Sequence, residues 1–407
     1  MNKIERDLSA GEHTPNSPDD DKKPLRGLRI IDFSWVVAGP MTTKMLGAMG
    51  AEVIKIESLT RPEHKQRSGI FRILNNNKRS CTIDISSAAG QALLHRLVAM
   101  SDIVVENFSS SVLKKNHLGY EDLRQVRPDL IFVSASGVGR TGPESDALAY
   151  GTLLQAYSGR GGLIGKPNEL IEAMGILPIW TDPVTAMWET FAVLSAIYHR
   201  RRTGKGSFVD LSMLEATVAL LPEALMRLSA GVGGRGPGGD YDGESAPGGC
   251  FRCSGDDAWI GLSVRDDAEW QSLCQVLGHS SLAALYPTHQ ARLDDAEAIH
   301  AVIAAWCREQ QATAAATLLR QAGVPAAVTR SFDQVFSDPE IQRRGVFAQL
   351  PDGSHNYTLP WRDADTGWRG DLTPPPELGA DNDYVLKQLL GLSDQEYDEL
   401  LAPEILA

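Results

Sequence analysis

Apolar and polar positions along the first half of the chain follow two rhythms. Leu28 to Phe33 is a short apolar run, and Ala51 to Glu57 alternates with the period of a strand. Met41, Met45, Leu46 and Met49 lie between them at helical spacing, and the segment ends at Gly50. Further strands are predicted at Cys81–Ile85, Asp102–Glu106 and Leu130–Ser134, with an amphipathic helix over Ala88–Met100. Strands alternating with helices predict βαβ units and a largely parallel sheet. The clearest helix runs from Pro183 to Arg202, where Val184, Met187, Trp188, Phe191, Leu194, Ile197 and Tyr198 recur at helical spacing. Asp182 reads as its N-cap and Pro183 as its first helical residue. Arg200, Arg201, Arg202 and Gly204 form the matching stop. A strand, Phe208–Met213, and a further apolar helix follow.

The pattern breaks at Gly231–Gly249, a stretch dominated by glycine that reads as a flexible loop. Beyond it a strand is predicted at Ala258–Val264, with helices over Asp267–Leu277 and Ala296–Gln321. The tail is proline-rich around Pro374–Pro376 and ends in a helical stretch, Asn382–Leu401. A chain of 407 residues exceeds the size at which single cores stop growing, so two domains are expected. The boundaries read as a disordered leader over 1–23, a large domain over 24–230, a linker over 231–248 and a small domain over 249–331. Residues 332–407 read as a return segment packing on the large domain.

Composition narrows the function classes. A hydrophobic content of 43% with 22% charged residues is that of an ordinary globular protein, and no apolar run is long enough to span a bilayer. The leader lacks the apolar core of a signal peptide. A net charge of -13 argues against nucleic acid or an anionic membrane as partner, but not against a small anion on a local basic patch. Five scattered cysteines, an odd number, read as free thiols in a reducing cytoplasm. Cys250 and Cys253 have CxxC spacing, but no second pair or nearby histidine completes a zinc site, and no metal is expected.

Three features carry candidate chemistry. Gly137–Gly142 fits the GxGxxG spacing after a strand, but Pro143, Glu144 and Ser145 prolong a loop where a dinucleotide fingerprint would open a helix. A structural or gating loop is the expectation there. Arg61–Arg79 gathers six cations, among them Arg72, Lys78 and Arg79, against Glu63 alone. Beside the carboxyl end of a strand such a cluster suits a polyphosphate, while a solvated loop explains it equally well. Asp182 can cap its helix, act as a carboxylate nucleophile kept ionised by the helix start, or do both.

Read together, several segments resemble the class III CoA-transferases, a family that also contains α-methylacyl-CoA racemases. The carriers are Pro24–Asp32 with Ala38-Gly39-Pro40, Gly50–Glu57, Asn77–Ser80, Val105–Phe108, Ser136–Pro143, Arg202–Gly206 and Gly323–Pro325. The resemblance implies an α/β protein with a large Rossmann-like, CoA-binding domain and a smaller α/β domain, assembled as an interlocked homodimer. It implies that CoA moves from an acyl-CoA donor to a carboxylic acid acceptor through covalent intermediates on Asp182, with CoA as substrate and no tightly bound cofactor. By the resemblance CoA contacts fall on Val36, Ala38, Asn107, Phe108 and Lys115, and the mobile lid on Gly231–Gly239. Ser109-Ser110-Ser111 departs from the family's usual Arg-Pro-Gly after Asn107-Phe108. Trp35 and Val37 replace polar residues of the oxalate enzyme, which favours a bulkier acid, with Trp180, Trp188 and Tyr150 as candidate lining or as core. Two alternatives stay open: a racemase of the same fold, or a non-catalytic CoA-binding subunit. The racemases' histidine base is matched here by Tyr150, and tyrosine is a poor base near neutral pH.

Overall fold

The computed structural model describes residues 23–401 apart from 60, 62–64, 66, 68, 110, 148–149, 164–179 and 232–244. Six strands form one parallel sheet: β1 (Arg29–Asp32), β2 (Glu52–Glu57), β3 (Arg79–Thr82), β4 (Ile103–Glu106), β5 (Ile131–Ser136) and β6 (Ser207–Ser212). Their order is β3-β2-β1-β4-β5-β6, the Rossmann order, in which the chain reverses direction across the sheet between β1 and β4. Ile31 pairs with Ile54 on one side and Val104 on the other. Both faces are covered, so the middles of the central strands are apolar and buried, as a parallel sheet requires, while Asp32, Glu57 and Glu106 stand at their carboxyl ends.

The connecting helices are α1 (Ala38–Ala48), α2 (Ile70–Leu74), α3 (Ala88–Ala99), α4 (Val112–Lys115), α5 (Tyr120–Val126), α6 (Gly151–Tyr157) and α7 (Thr181–Thr203). One face of the sheet packs on α3 and α5 through Leu93, Leu94, Leu97 and Leu123. The other carries Leu46 of α1 with Val193 and Ile197 of α7. Arg200, in the last turn of α7, donates to Asp102 at 2.9 Å, and Gly204 ends the helix in the left-handed conformation.

The described chain divides into two compact units. The first takes 23–154, 180–217 and 345–401, and the second takes 155–163, 218–231 and 245–344. The expected small domain, 249–331, is therefore too short. The short helices Phe332–Phe336 and Pro339–Arg343 stay with the second unit, and the hairpin of Phe347–Gln349 with His355–Tyr357 begins the return to the first. The second unit has an antiparallel sheet of Gly248–Arg252, Trp259–Ser263 and Ala326–Val328 over a core built on Trp270, Ile303 and Leu319. The single helix expected at 296–321 is two, Ala296–Arg308 and Ala312–Gln321. The tail helix is likewise broken, into Asp383–Leu389 and Asp394–Leu401, with Gly391 at φ +70° between them. Lys23, assigned to the leader, pairs with Asp371 at 2.7 Å. Among the described residues no helix is long and apolar enough to cross a membrane.

The central polar contact of the first unit is an ion pair. Lys78, just before β3, meets Asp32 at the end of β1 at 2.9 Å, and neither side chain is exposed. Lys78 also donates to the Pro40 carbonyl and Asn75 Oδ1. Burial pushes the Asp32 carboxyl up, but Lys78, Lys55, Ser34 and Thr43 outweigh it and hold it below the usual carboxylate range. Removing only the cation strands a buried anion. Lys78→Met is expected to destabilise the protein by about 3–5 kcal/mol. Chemical denaturation checks this, and a loss under about 1 kcal/mol would mean that the pair is solvated.

Candidate active site

The loop from β1 to α1 is shaped from below by Asp32. Its Oδ1 accepts the Ser34 backbone N–H at 2.8 Å, and its Oδ2 accepts the Thr43 hydroxyl at 2.7 Å. Gly39 lies so close to Ser34 that an added Cβ would sit 2.2 Å from the serine Cβ, so only glycine fits. Val36 stands at φ +63°, a strained conformation for a β-branched residue. The restraint comes from Asn107, directly after β4. Its Oδ1 accepts the Trp35 N–H and its Nδ2 donates to the Trp35 carbonyl, both at 2.7 Å. Asn107 thus grips the loop backbone by both its polar groups. Val36 is exposed, whereas Ala38 is buried at the first position of α1, which has no side-chain cap.

At the carboxyl ends of β1 to β4 this loop walls a cavity of about 240 Å³. In an open α/β sheet this is the edge where ligands bind. Phe33, Trp35, Ile56, Ile83 and Phe108 give it apolar walls, and Arg61, Asp84, Ser86 and Asn116 supply polar groups. Phe108 thus lies where a ligand can touch it. Lys115 is exposed and follows directly in α4, beside Asn116.

The basic stretch does not act as one patch. Lys78 is wholly buried and its ammonium is spent on Asp32, Pro40 and Asn75, so it cannot meet a phosphate at the surface. Arg79 begins β3 and turns to the opposite edge of the sheet, where it pairs with Glu52 at 3.2 Å and Asp381 at 2.9 Å and lies over the Tyr384 ring. Arg72 pairs with Asp352 of the return segment. Arg67 binds both oxygens of Glu57, at 3.1 and 2.9 Å. Arg61 is the cation of this stretch that lines the cavity, and it is exposed. Nothing in the sequence separates Arg61 from its neighbours, because two of their carboxylate partners lie some 280 and 302 residues away.

Asp182 is not the N-cap. Trp180 occupies that position and α7 begins at Thr181, which makes Asp182 its second residue and Pro183 its third. The Thr181 hydroxyl donates to the Gly151 carbonyl at 3.2 Å, which ties the start of α7 to α6. In α6, Leu154 packs against Ala38, so the starts of α7 and α1 share a neighbour. Burial pushes the Asp182 carboxyl above the usual carboxylate range, although it accepts its own backbone N–H. The helix start is expected to favour the ionised form, and burial acts against it.

The first half of α7 turns several small or polar residues inward: Thr185, Ala186, Glu189 and Thr190 are buried beside Val184, while Met187, Trp188, Phe191 and Tyr198 are exposed. Glu189, two turns beyond Asp182, went unrecognised because a lone glutamate among large apolar residues reads as surface. Gly137–Gly142 stays a loop, as expected. Its Arg140 donates from Nη2 to Glu106 at 2.7 Å and from Nε to Ser134 at 2.6 Å, and no helix opens there. Of the expected lid only Gly231 falls within the described residues. Among those residues no group of three or more His, Cys, Asp or Glu could hold a metal ion.

Comparison with known proteins adds the family. The profile of CoA-transferase family III matches residues 25–382. A succinyl-CoA–D-citramalate CoA-transferase of Chloroflexus aurantiacus is 29% identical over 94% of this chain and 98% of its own. A succinate–glutarate CoA-transferase of Agrobacterium fabrum is 30% identical over 90% of this chain and 96% of its own. Among solved structures, a CAIB/BAIF family protein from Brucella suis superposes with a TM-score of 0.82 at 27% identity, covering 90% of this chain and 100% of that one. A cavity at the ligand edge of a Rossmann-like sheet, an aspartate inside a helix start and a profile match over nearly the whole chain agree: the protein belongs to CoA-transferase family III and is a CoA-transferase.

Proposed function

We propose that this enzyme moves CoA from succinyl-CoA to a second carboxylic acid through covalent intermediates on Asp182. The observation that carries the reading is the placement of Asp182. It sits inside the first turn of α7, where it accepts its own backbone N–H, and it has no cation partner among the described residues. A half-buried carboxylate held by no cation, beside α6, the helix that neighbours the starts of both α1 and α7, suits nucleophilic attack. Succinyl-CoA or succinate stands in the names of both relatives above, which supports it as donor. Cys81, Cys253, Cys274 and Cys307 are buried free thiols, which suits a cytoplasmic setting.

In the first step an Asp182 oxygen attacks the thioester carbonyl carbon. The C–S bond breaks, CoA leaves as thiolate, and an acyl-aspartyl anhydride remains. The thiolate then attacks the Asp182 carbonyl carbon, expels the donor acid as carboxylate and leaves an aspartyl-CoA thioester. The acceptor carboxylate attacks this thioester and gives a second anhydride with release of thiolate. Attack of that thiolate on the acceptor's acyl carbon forms the new acyl-CoA and restores the Asp182 carboxylate. The thioester is conserved, with no net oxidation and no hydrolysis.

Val36 and Ala38 on the strained loop, with Phe108 and Lys115, frame the CoA path, and Asn107 fixes the loop that forms it. The aromatic face of α7 supports a second copy as its cover. Met187, Trp188 and Phe191 make an exposed apolar stripe, with Trp188 and Phe191 packed edge to face at 6.2 Å. An interlocked homodimer buries such a stripe by symmetry.

Asp182→Asn should lower transfer by several orders of magnitude with a near-normal melting temperature, since no capping bond is lost. Incubating the wild type with succinyl-CoA and then hydroxylamine should leave a hydroxamate on Asp182. Full activity in the variant, or a hydroxamate only elsewhere, refutes the nucleophile. Arg61→Ala should raise the Kd for CoA and flatten its salt dependence, whereas Arg79→Ala should change neither, because Arg79 is engaged at the opposite edge. Equal effects of the two would return the whole stretch to a diffuse patch. Light scattering should give a dimer for the wild type and a monomer for Trp188→Asp/Phe191→Asp; a monomeric wild type removes the homodimer.

A further inference from the structure

Glu189 lies two turns beyond Asp182 on the inward face of α7, with no solvent exposure. Its Oε2 is 2.8 Å from the Thr42 hydroxyl of α1, and its Oε1 is buried with no hydrogen-bond partner. No cation answers it. The charged groups that act on it are Asp32 at the end of β1 and Glu106 at the end of β4, both acidic. Their own charges are matched elsewhere, Asp32 by Lys78 and Glu106 by Arg140. From α1 it meets Thr42, and neither β5 nor β6 contributes a charge that acts on it. A carboxylate here would be a bare buried anion, which is far costlier than a neutral acid.

The Thr42 hydroxyl shows how the neutral acid fits. It lies 3.0 Å from the Ala38 carbonyl and 3.3 Å from the Ala186 carbonyl. A hydroxyl has one proton to give. When Glu189 donates to Thr42, the threonine proton is free for the Ala38 carbonyl, and the chain of bonds runs from α7 to the first residue of α1. An ionised Glu189 would take the threonine proton: the bond between the helices would stand, but the Ala38 carbonyl would lose the hydroxyl and a bare charge would lie between α1 and α7. The bond therefore spans α1, whose first turn ends the CoA loop, and α7, whose first turn carries Asp182.

The geometry points to the neutral carboxyl of Glu189 as a positioning residue for CoA transfer, one that locks α1 to α7 through Thr42 and so fixes Asp182 relative to the loop of Val36 and Ala38. This rests on the reading of Asp182 as nucleophile. Burial, together with the repulsion of Asp32 and Glu106, pushes the Glu189 carboxyl up to about 8, against the hydrogen bond with Thr42. Two consequences fall in different pH windows. A raised folded-state value gives stability that is full below the ordinary glutamate range and is lost as pH rises to about 8. Transfer, which needs the neutral form, declines above about 8.

The test compares wild type with Glu189→Gln, a neutral isostere. Exchange of labelled succinate into succinyl-CoA needs no knowledge of the acceptor. Between pH 7 and 9 the wild-type kcat should fall about tenfold, as expected for one group titrating midway. Glu189→Gln should lack that fall. Melting temperatures of the two should diverge as pH rises from 5 to 8 and stay parallel above it. Parallel melting from pH 5 to 8 shows a carboxyl that is already ionised and sinks the proposal whatever the kinetics. A normal hydroxamate on Asp182 with the same alkaline fall in both proteins sinks it while leaving the nucleophile intact. Absence of any Asp182 adduct in the wild type overturns both readings.

Discussion

Asp32 and Lys78 meet out of solvent at the end of β1, and the reacting edge is arranged around them. Asp32 gathers Ser34 and Thr43 while Lys78 gathers Pro40 and Asn75, so β1, α1 and the approach to β3 converge on one pair of charges. Such a pair is costly to bury and costlier to break, which makes the turn above it rigid. Rigidity is what the strained Val36 requires. A valine at positive φ relaxes unless its surroundings over-determine it, and here Asn107 grips the preceding peptide from the far side.

The alternation of apolar runs made the parallel sheet legible, because a strand buried on both faces leaves little choice of residue. Starts and stops were legible where chemistry is local: Gly204 closes α7 as its position suggests. What was not legible depends on partners far along the chain. Arg72 and Arg79 look alike as free cations until Asp352 and Asp381 return from the tail to meet them. The same return explains why the small unit was drawn too short, since helix-forming residues at 332–343 carry no mark of the unit they join. Asp182 stands two positions further into the helix than Asp-Pro suggests, because this capping signal is overridden by a helix that begins two residues earlier, at Thr181.

Helix α7 shows most clearly why periodicity alone misleads. Met187, Trp188, Phe191 and Tyr198 have the right spacing for a core face, yet they are exposed, while Val184 and Ile197 of the same series are buried. Where α7 meets α1 the inward face carries Ala186 and Glu189, both reached by the Thr42 hydroxyl of α1, while Val193 and Ile197 further along pack on the sheet. Large aromatics left outside then call for a cover, which the helix cannot find in its own unit.

The same contact sets the two carboxyls of α7 apart. Asp182 and Glu189 are two turns apart along α7, but Asp182 stands in the first turn of the helix and is only half-buried. Glu189 stands where the helices touch, with two acids behind it and one hydroxyl in front. On the proposed reading, a charge available for attack belongs at the first place and a retained proton at the second. Moving either group by one residue would turn it by about 100° around the axis. The spacing of seven is thus the shortest that puts both on one line of the helix with two full turns between them, far enough that ionising one does not forbid ionising the other.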